Sequence, residues 1–238
     1  MMNLINLKKN LAKSLWILVL FGFFHSCALA VTYRIPSNGN SIGAYETVRA
    51  GKTETLFDIA EKYSIGTYEI VKANPQLNNK TLNSNTSVVI PSEFELPSGP
   101  REGIVLDLSK MRVFYYHPDS NQVSTYPVGI GRQGWSTPQG TTRIVSKEKN
   151  PTWHPPDSIR REAARSGKTL PLSVPPGPHN PLGHYAMHLG FHGIVMHGTN
   201  KPSSVGLRSS HGCIRMYAND IQELFSMAPI GTSVRILY

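Results

Sequence analysis

Cys213 sits in the string Ser210-His211-Gly212-Cys213-Ile214-Arg215, sixteen residues after His197. Those two residue types make a nucleophilic pair. A thiolate attacks carbonyl carbon, and a nearby imidazole generates it by taking the thiol proton. Glycines and a proline between them let the chain turn back and bring ring and sulfur within reach. Gly212, with no Cβ, lets a substrate approach the backbone and favours amide donors aimed at an oxyanion. Arg208 and Arg215 flank the thiol, and a planar guanidinium suits a substrate carboxylate.

Two other readings of the same residues compete. A lone cysteine in a β protein is commonly a small buried hydrophobe, but His, Gly, Ser and Arg make a poor apolar lining. His184, His188, His192, His197, His211 and Cys213 crowd one stretch, as metal ligands would. Zinc sites favour short paired spacings. His188 and His192 stand four apart in a strand followed by a turn, which does not aim both at one ion. The expectation is no metal and no organic cofactor.

The elements that must hold this pair are mostly strands. Residues 103–108 and 111–116 alternate across a Ser-Lys turn and predict a hairpin. Further strands are expected at 123–130, 141–145, 185–189, 194–196 and 234–237. One helix is expected at 158–166, entered from Asp157 and closed at Gly167. Another is expected at 220–227, with Asn219 as N-cap and Gln222 completing a capping box. Residues 150–183 are proline-rich and long for a connection. Such segments are often lids, and the prolines favour an ordered one.

Ahead of a boundary at residues 98–101 lies a smaller unit, residues 44–92. A strand at 46–48, a helix at 55–63, a second helix at 67–73 and a strand at 88–90 follow in order. Tyr68 and Val71 are expected to face inward from the second helix, which Asn74-Pro75 ends. Residues 31–43 read as a polar linker.

The first thirty residues hold Lys8, Lys9 and Lys13, no acidic residue, an apolar run at 15–24 and a small-x-small site at Ala28-Leu29-Ala30. That is the pattern of a secretory signal peptide over residues 1–30. The apolar run is too short to span a bilayer, which takes about 20 residues. Cys27 leaves with the signal, so Cys213 stands alone in an oxidising compartment and cannot form an internal disulfide. The formal charge of +9 falls to +6 without the three lysines. A modest positive surplus suits an anionic polymer. No basic run or recognition motif points to nucleic acid, and the membrane enters only through the signal segment.

His197-Gly198, followed after about a dozen residues by Ser210-His211-Gly212-Cys213-Ile214-Arg215, resembles the signature of the L,D-transpeptidase (YkuD-type) family. The resemblance covers residues 101–237. It includes Tyr126-Pro127-Val128-Gly129-Ile130-Gly131, Thr137-Pro138, Asn150-Pro151-Thr152-Trp153 and Asn180-Pro181-Leu182-Gly183. It is greatest for the ErfK/YbiS/YcfS/YnhG group of Gram-negative periplasmic enzymes. Residues 44–92 resemble a LysM module, a binder of glycans containing N-acetylglucosamine. The match lies in Val48-Arg49-Ala50-Gly51, Leu56, Ile59-Ala60, Tyr63, Ala73-Asn74-Pro75 and Val89-Ile90-Pro91, with a departure at residues 52–55.

The resemblance implies a mainly β protein: a β-sandwich-like catalytic domain (101–238) with a few short helices, behind a small α+β LysM-like domain. It implies a periplasmic enzyme in which Cys213 attacks the third-residue carbonyl of a peptidoglycan tetrapeptide stem. D-Ala leaves, and an amine captures the thioester. Gly198 supplies the carbonyl that orients His197. His211 and Gly212 line the oxyanion region, and Ser210, Arg208 and Arg215 bind substrate. The acceptor is either an outer-membrane protein, tethering it to the wall, or a second stem, giving a 3-3 cross-link. A wall-binding protein without activity is the non-enzyme alternative. Activity is expected to fall below the imidazole's ordinary pKa, about 6.5.

Overall fold

A computed structural model describes residues 32–77 and 81–238; the expected signal peptide lies outside them. The strands of the first half are β1 (Thr32–Arg34), β2 (Ser41–Gly43), β3 (Glu46–Arg49), β4 (Ser87–Ile90), β5 (Glu93–Glu95), β6 (Gly103–Asp107), β7 (Arg112–Tyr116) and β8 (Gln122–Pro127). Then come β9 (Ile130–Gly131), β10 (Gly140–Lys149), β11 (Tyr185–Leu189), β12 (Val195–His197), β13 (Arg208–Ser210), β14 (Ile214–Arg215) and β15 (Ser233–Leu237). The α-helices among the described residues are α1 (Leu56–Lys62), α2 (Thr67–Ala73), α3 (Asp157–Arg165) and α4 (Ala218–Met227).

Nine strands form one curled sheet in the order β1-β8-β7-β6-β15-β10-β11-β12-β14. Both of its faces are covered. Ile104, Leu106, Val113 and Tyr115 point into a core shared with β11, β12, β14 and α4. Val105, Phe114 and Tyr116, one residue out of phase, point into a second core shared with the small N-terminal unit. Successive side chains of a strand alternate faces. Burial on both sides explains why β6 and β7 read as near-continuous apolar runs. Each fully buried Val, Leu or Ile contributes roughly 1.5–3 kcal/mol.

The small unit is a β3–β4 pair with α1 and α2 packed on it. Thr55 and Asp58 cap α1 reciprocally: the Asp58 amide donates to Thr55 Oγ1 at 3.2 Å and the Thr55 amide to Asp58 Oδ2 at 2.7 Å. Asn74 ends α2 and fastens it to β4, donating from Nδ2 to Val89 O at 2.8 Å and accepting from Val89 N at 2.8 Å. Tyr68 does not face inward as expected; it is 54% exposed, and Ile70 fills the core instead. The mainly inward positions of this short helix are Thr67 and Ile70.

Three further expectations are corrected. The expected linker is structured over its described residues, 32–43: β1 extends the large sheet beside β8, and β2 pairs with β5. Their polar side chains suit an edge strand, where one face meets water. The segment 123–130 breaks in two, because β9 leaves the sheet to pair with β13. The expected Asn219–Gln222 capping box is absent. Helix α4 starts two residues earlier, from Tyr217, with no side-chain cap. Its N-terminus is fixed by tertiary contacts: Tyr217 OH donates to Ile65 O at 2.9 Å and Ser64 Oγ to Asp220 Oδ1 at 2.6 Å.

Those bonds belong to a tight interface between the two units. Thr67 N donates to Val205 O at 2.9 Å and Thr67 Oγ1 to Ser203 O at 3.1 Å. Gly206, at φ +78°, approaches so near that a Cβ there would lie 2.5 Å from Gly66 Cα. Arg112, buried against Phe94, donates to Glu69 Oε2 at 2.7 Å. The docked unit therefore braces residues 203–206, inside the segment that links His197 to Cys213.

Asp220 is buried in this interface, and burial raises its pKa to about 7 against the pull of the Ser64 hydroxyl and Arg112. The folded state holds this proton where the unfolded chain has lost it. Its stabilising contribution is therefore complete below the ordinary carboxylate pKa and is lost as pH rises through about 7. Asp220→Asn is expected to raise the melting temperature at pH 8 and to raise it by clearly less at pH 5, where the loss has only begun. Thermal denaturation at the two pH values checks this; an equal shift at both would contradict it.

Candidate active site around Cys213

Strand β12 delivers His197 at its last position, and Cys213 immediately precedes the parallel neighbour β14. The register pairs Met196 with Ile214 and His197 with Arg215. His197 and Arg215 lie opposite each other and present their side chains to one face, and Cys213 stands two residues before Arg215, at the end of the turn that leads into β14.

His197 is 4% exposed, and its Nδ1 lies 2.5 Å from the Gly198 carbonyl oxygen. A carbonyl only accepts, so Nδ1 carries the hydrogen and Nε2 keeps its lone pair. Burial lowers the pKa of the ring to about 4, opposed by the Gly198 bond, with Arg215 adding to the lowering. The ring is neutral at physiological pH. Cys213 is free and half-exposed. Burial of its sulfur raises the thiol pKa, while a Val195 backbone bond and Arg215 pull it down. The thiol donates to Gly193 O at 3.5 Å, rather than to His197. The resting pair is therefore neutral thiol beside neutral imidazole, not an ion pair. Catalytic hydrogen bonds commonly tighten only when substrate is bound.

The turn before the thiol is held from both sides. Ser210 Oγ donates to Cys213 O at 2.6 Å and accepts from Gly212 N at 3.1 Å. Thr137 Oγ1 donates to Gly212 O at 2.8 Å. Ser210 is 1% exposed with its hydroxyl spent on the turn, so it braces Cys213 and does not reach substrate as expected. The Gly212 amide is occupied by the same hydroxyl, which leaves the amide of Cys213 as the turn's candidate oxyanion donor. Gly212 has φ +105°, a conformation closed to side chains. Gly212→Ala is expected to cost about 1–3 kcal/mol and to lower activity further by shifting Cys213. Denaturant titration with parallel turnover assays checks both; an unchanged midpoint would contradict the strain.

The remaining predicted residues divide. Arg215 stays with the thiol: half-buried, without a carboxylate partner among the described residues, touching Ser209 Oγ at 3.4 Å. Arg208 does not. Its guanidinium donates to Leu108 O at 3.2 Å and lies over the Tyr238 ring, because β13 turns that side chain toward the C-terminus. The His211 ring points away from the turn, edge-to-face on Trp135 with centroids 4.8 Å apart and 2.9 Å from Glu162 Oε2. Sequence reasoning missed Gly193, Arg132, Trp135 and Glu162. Thr137 was visible only within a Thr-Pro pair. Among the described residues, no cluster of three or more His, Cys, Asp or Glu is arranged to hold a metal.

Residues 101–236 match the YkuD family, described as the L,D-transpeptidase catalytic domain. Residues 47–91 match the LysM domain family. Three relatives come from Escherichia coli strain K12. "Probable L,D-transpeptidase ErfK/SrfK" is 40% identical over 219 residues, 90% of this chain and 70% of the relative. "Probable L,D-transpeptidase YbiS" is 38% identical over 218 residues, covering 90% and 71%. "Probable L,D-transpeptidase YcfS" is 37% identical over 231 residues, covering 92% and 72%.

Proposed function

The chain belongs to the L,D-transpeptidase family, with a LysM domain ahead of the catalytic domain, and on that premise we propose a cysteine acyl-transfer mechanism centred on Cys213. The observation that supports it is the parallel pairing of β12 with β14, which sets His197 opposite Arg215, two residues after Cys213, with the ring's Nδ1 tied to Gly198 O. That tie fixes the tautomer, so Nε2 is the base. It removes the thiol proton as sulfur attacks the carbonyl of the third stem residue. Negative charge develops on the carbonyl oxygen, facing the Cys213 amide at the end of the braced turn. The protonated imidazole then gives its proton to the leaving amine, and D-Ala departs. The thioester remains until an acceptor amine attacks, with His197 again taking a proton. Arg215, a half-buried cation without a carboxylate partner among the described residues, holds a carboxylate of the donor.

Peptidoglycan is the substrate the family implies, and a positive surplus of six outside the first thirty residues suits its carboxylates. The basic, apolar and small-residue order of residues 1–30 supports export to the periplasm. Among the described residues, no helix is long and apolar enough to cross a membrane. The similarity to ErfK, YbiS and YcfS supports an outer-membrane protein as acceptor. The alternative acceptor is a second stem, giving direct 3-3 cross-links. Sacculi from a deletion strain, digested with muramidase, test the choice. Tethering predicts loss of protein-linked muropeptides from the digest; loss of peptide dimers instead would assign cross-linking.

A further inference from the structure

We propose that Glu162 is a positioning residue of this site, its carboxylate tying the lid helix α3 to the nucleophile turn through Arg132 and His211. The reading of Cys213 as nucleophile underlies the role assigned to this tie.

Residues 150–183 are ordered at their base. Asn180, buried, donates from Nδ2 to Pro151 O at 2.7 Å and Val174 O at 3.1 Å, and Trp153 and Val174 exchange backbone bonds. Helix α3 is different, because none of its residues is buried. Its apolar residues Ile159 and Ala163 are only partly buried, and the polar ties from it to the rest of the domain, among the described residues, pass through Glu162. One carboxylate oxygen pairs with the Arg132 guanidinium, and the other lies 2.9 Å from His211 Nε2.

Both partners are fixed to the nucleophile turn. Arg132 N donates to Ser210 O at 3.1 Å, and His211 is two residues before Cys213. Trp135 packs on His211 and closes the cluster. The Arg132 bond holds the Glu162 carboxyl below the usual carboxylate range, so it stays charged. All three side chains are about a third exposed or less. An ion pair so placed is weak, which makes the tie one that opens for substrate entry and recloses. The turn itself keeps its own braces in Ser210 and Thr137. Glu162 thus acts on retention of the donor rather than on the sulfur.

The test compares the full mature chain with Glu162→Ala, Arg132→Gln and the double variant by hydrogen exchange and steady-state kinetics on a tetrapeptide donor. Glu162→Ala is expected to speed amide exchange in α3 by about tenfold, with β6–β8 unchanged. KM should rise several-fold with kcat held within about twofold. Adding Arg132→Gln should speed α3 exchange no further, since both changes cut one tie. Unchanged α3 exchange would overturn the proposal. So would faster exchange spread evenly over β6–β8, or a fall in kcat at constant KM. Exchange needs no catalysis: a loosened α3 in a protein without turnover would leave the tie standing and sink the nucleophile reading alone.

Discussion

Cys213→Ala is expected to abolish release of D-Ala from a tetrapeptide donor, lowering turnover by at least about 10⁴-fold, with the melting temperature within a few degrees of the parent. The side chain is half-exposed, and its bonds are weak ones to Gly193 O and the Val195 backbone, so little packing is lost. What is lost is the attacking atom, and no other cysteine of the described residues can replace it. The same geometry predicts a modest intrinsic reactivity. With burial raising its pKa, the thiol is mostly protonated at pH 7. Alkylation by iodoacetamide should therefore be slow at neutral pH and rise with pH well above 7. Rapid alkylation at pH 6 would show a preformed thiolate and contradict the neutral pair.

The second large effect is at His197. Replacing it with Gln keeps a donor for the Gly198 carbonyl but removes the base, and is expected to lower acylation by about 10²–10⁴-fold. The pH profile separates this from a packing defect. A ring of pKa about 4 stays deprotonated well below the 6.5 expected of a free imidazole. Acylation by the parent should accordingly hold through mildly acidic pH and fall only toward pH 4, which moves the acid limb expected from sequence down by two units or so. Deacylation by an amine keeps its own requirement for the neutral amine, so the overall rate still rises toward alkaline pH. The His197→Gln protein should lose the acid limb. A parent limb at 6.5, or a limb that persists in the variant, would reject His197 as the base.

The candidate pair stood out in the sequence because its signals are local: a thiol after Ser-His-Gly, and a His-Gly ending an apolar strand. The helix expected at 55–63 forms at Leu56–Lys62, with Thr55 as its cap rather than its first residue. Features set by distant neighbours were not legible. Strand β1 pairs with a strand some ninety residues on, and nothing in its polar composition marks an edge position. Asn219 looked like a cap, but Tyr217 and Asp220 are held by the other domain and fix the helix start. Ser210 and Arg208 had the right types near the thiol, and only strand direction shows that one points inward and the other away. Glu162 stands 30 residues from Arg132 and 49 from His211, on a helix whose periodicity carries no trace of either.

The proposed mechanism requires a covalent bond at one sulfur, that of Cys213. The mature protein, incubated with a carbapenem and weighed intact, should gain the mass of one inhibitor molecule, and peptide mapping should place it on Cys213. The Cys213→Ala protein should gain nothing. A parent protein that gains no mass, or carries the adduct on any other residue, would contradict the account.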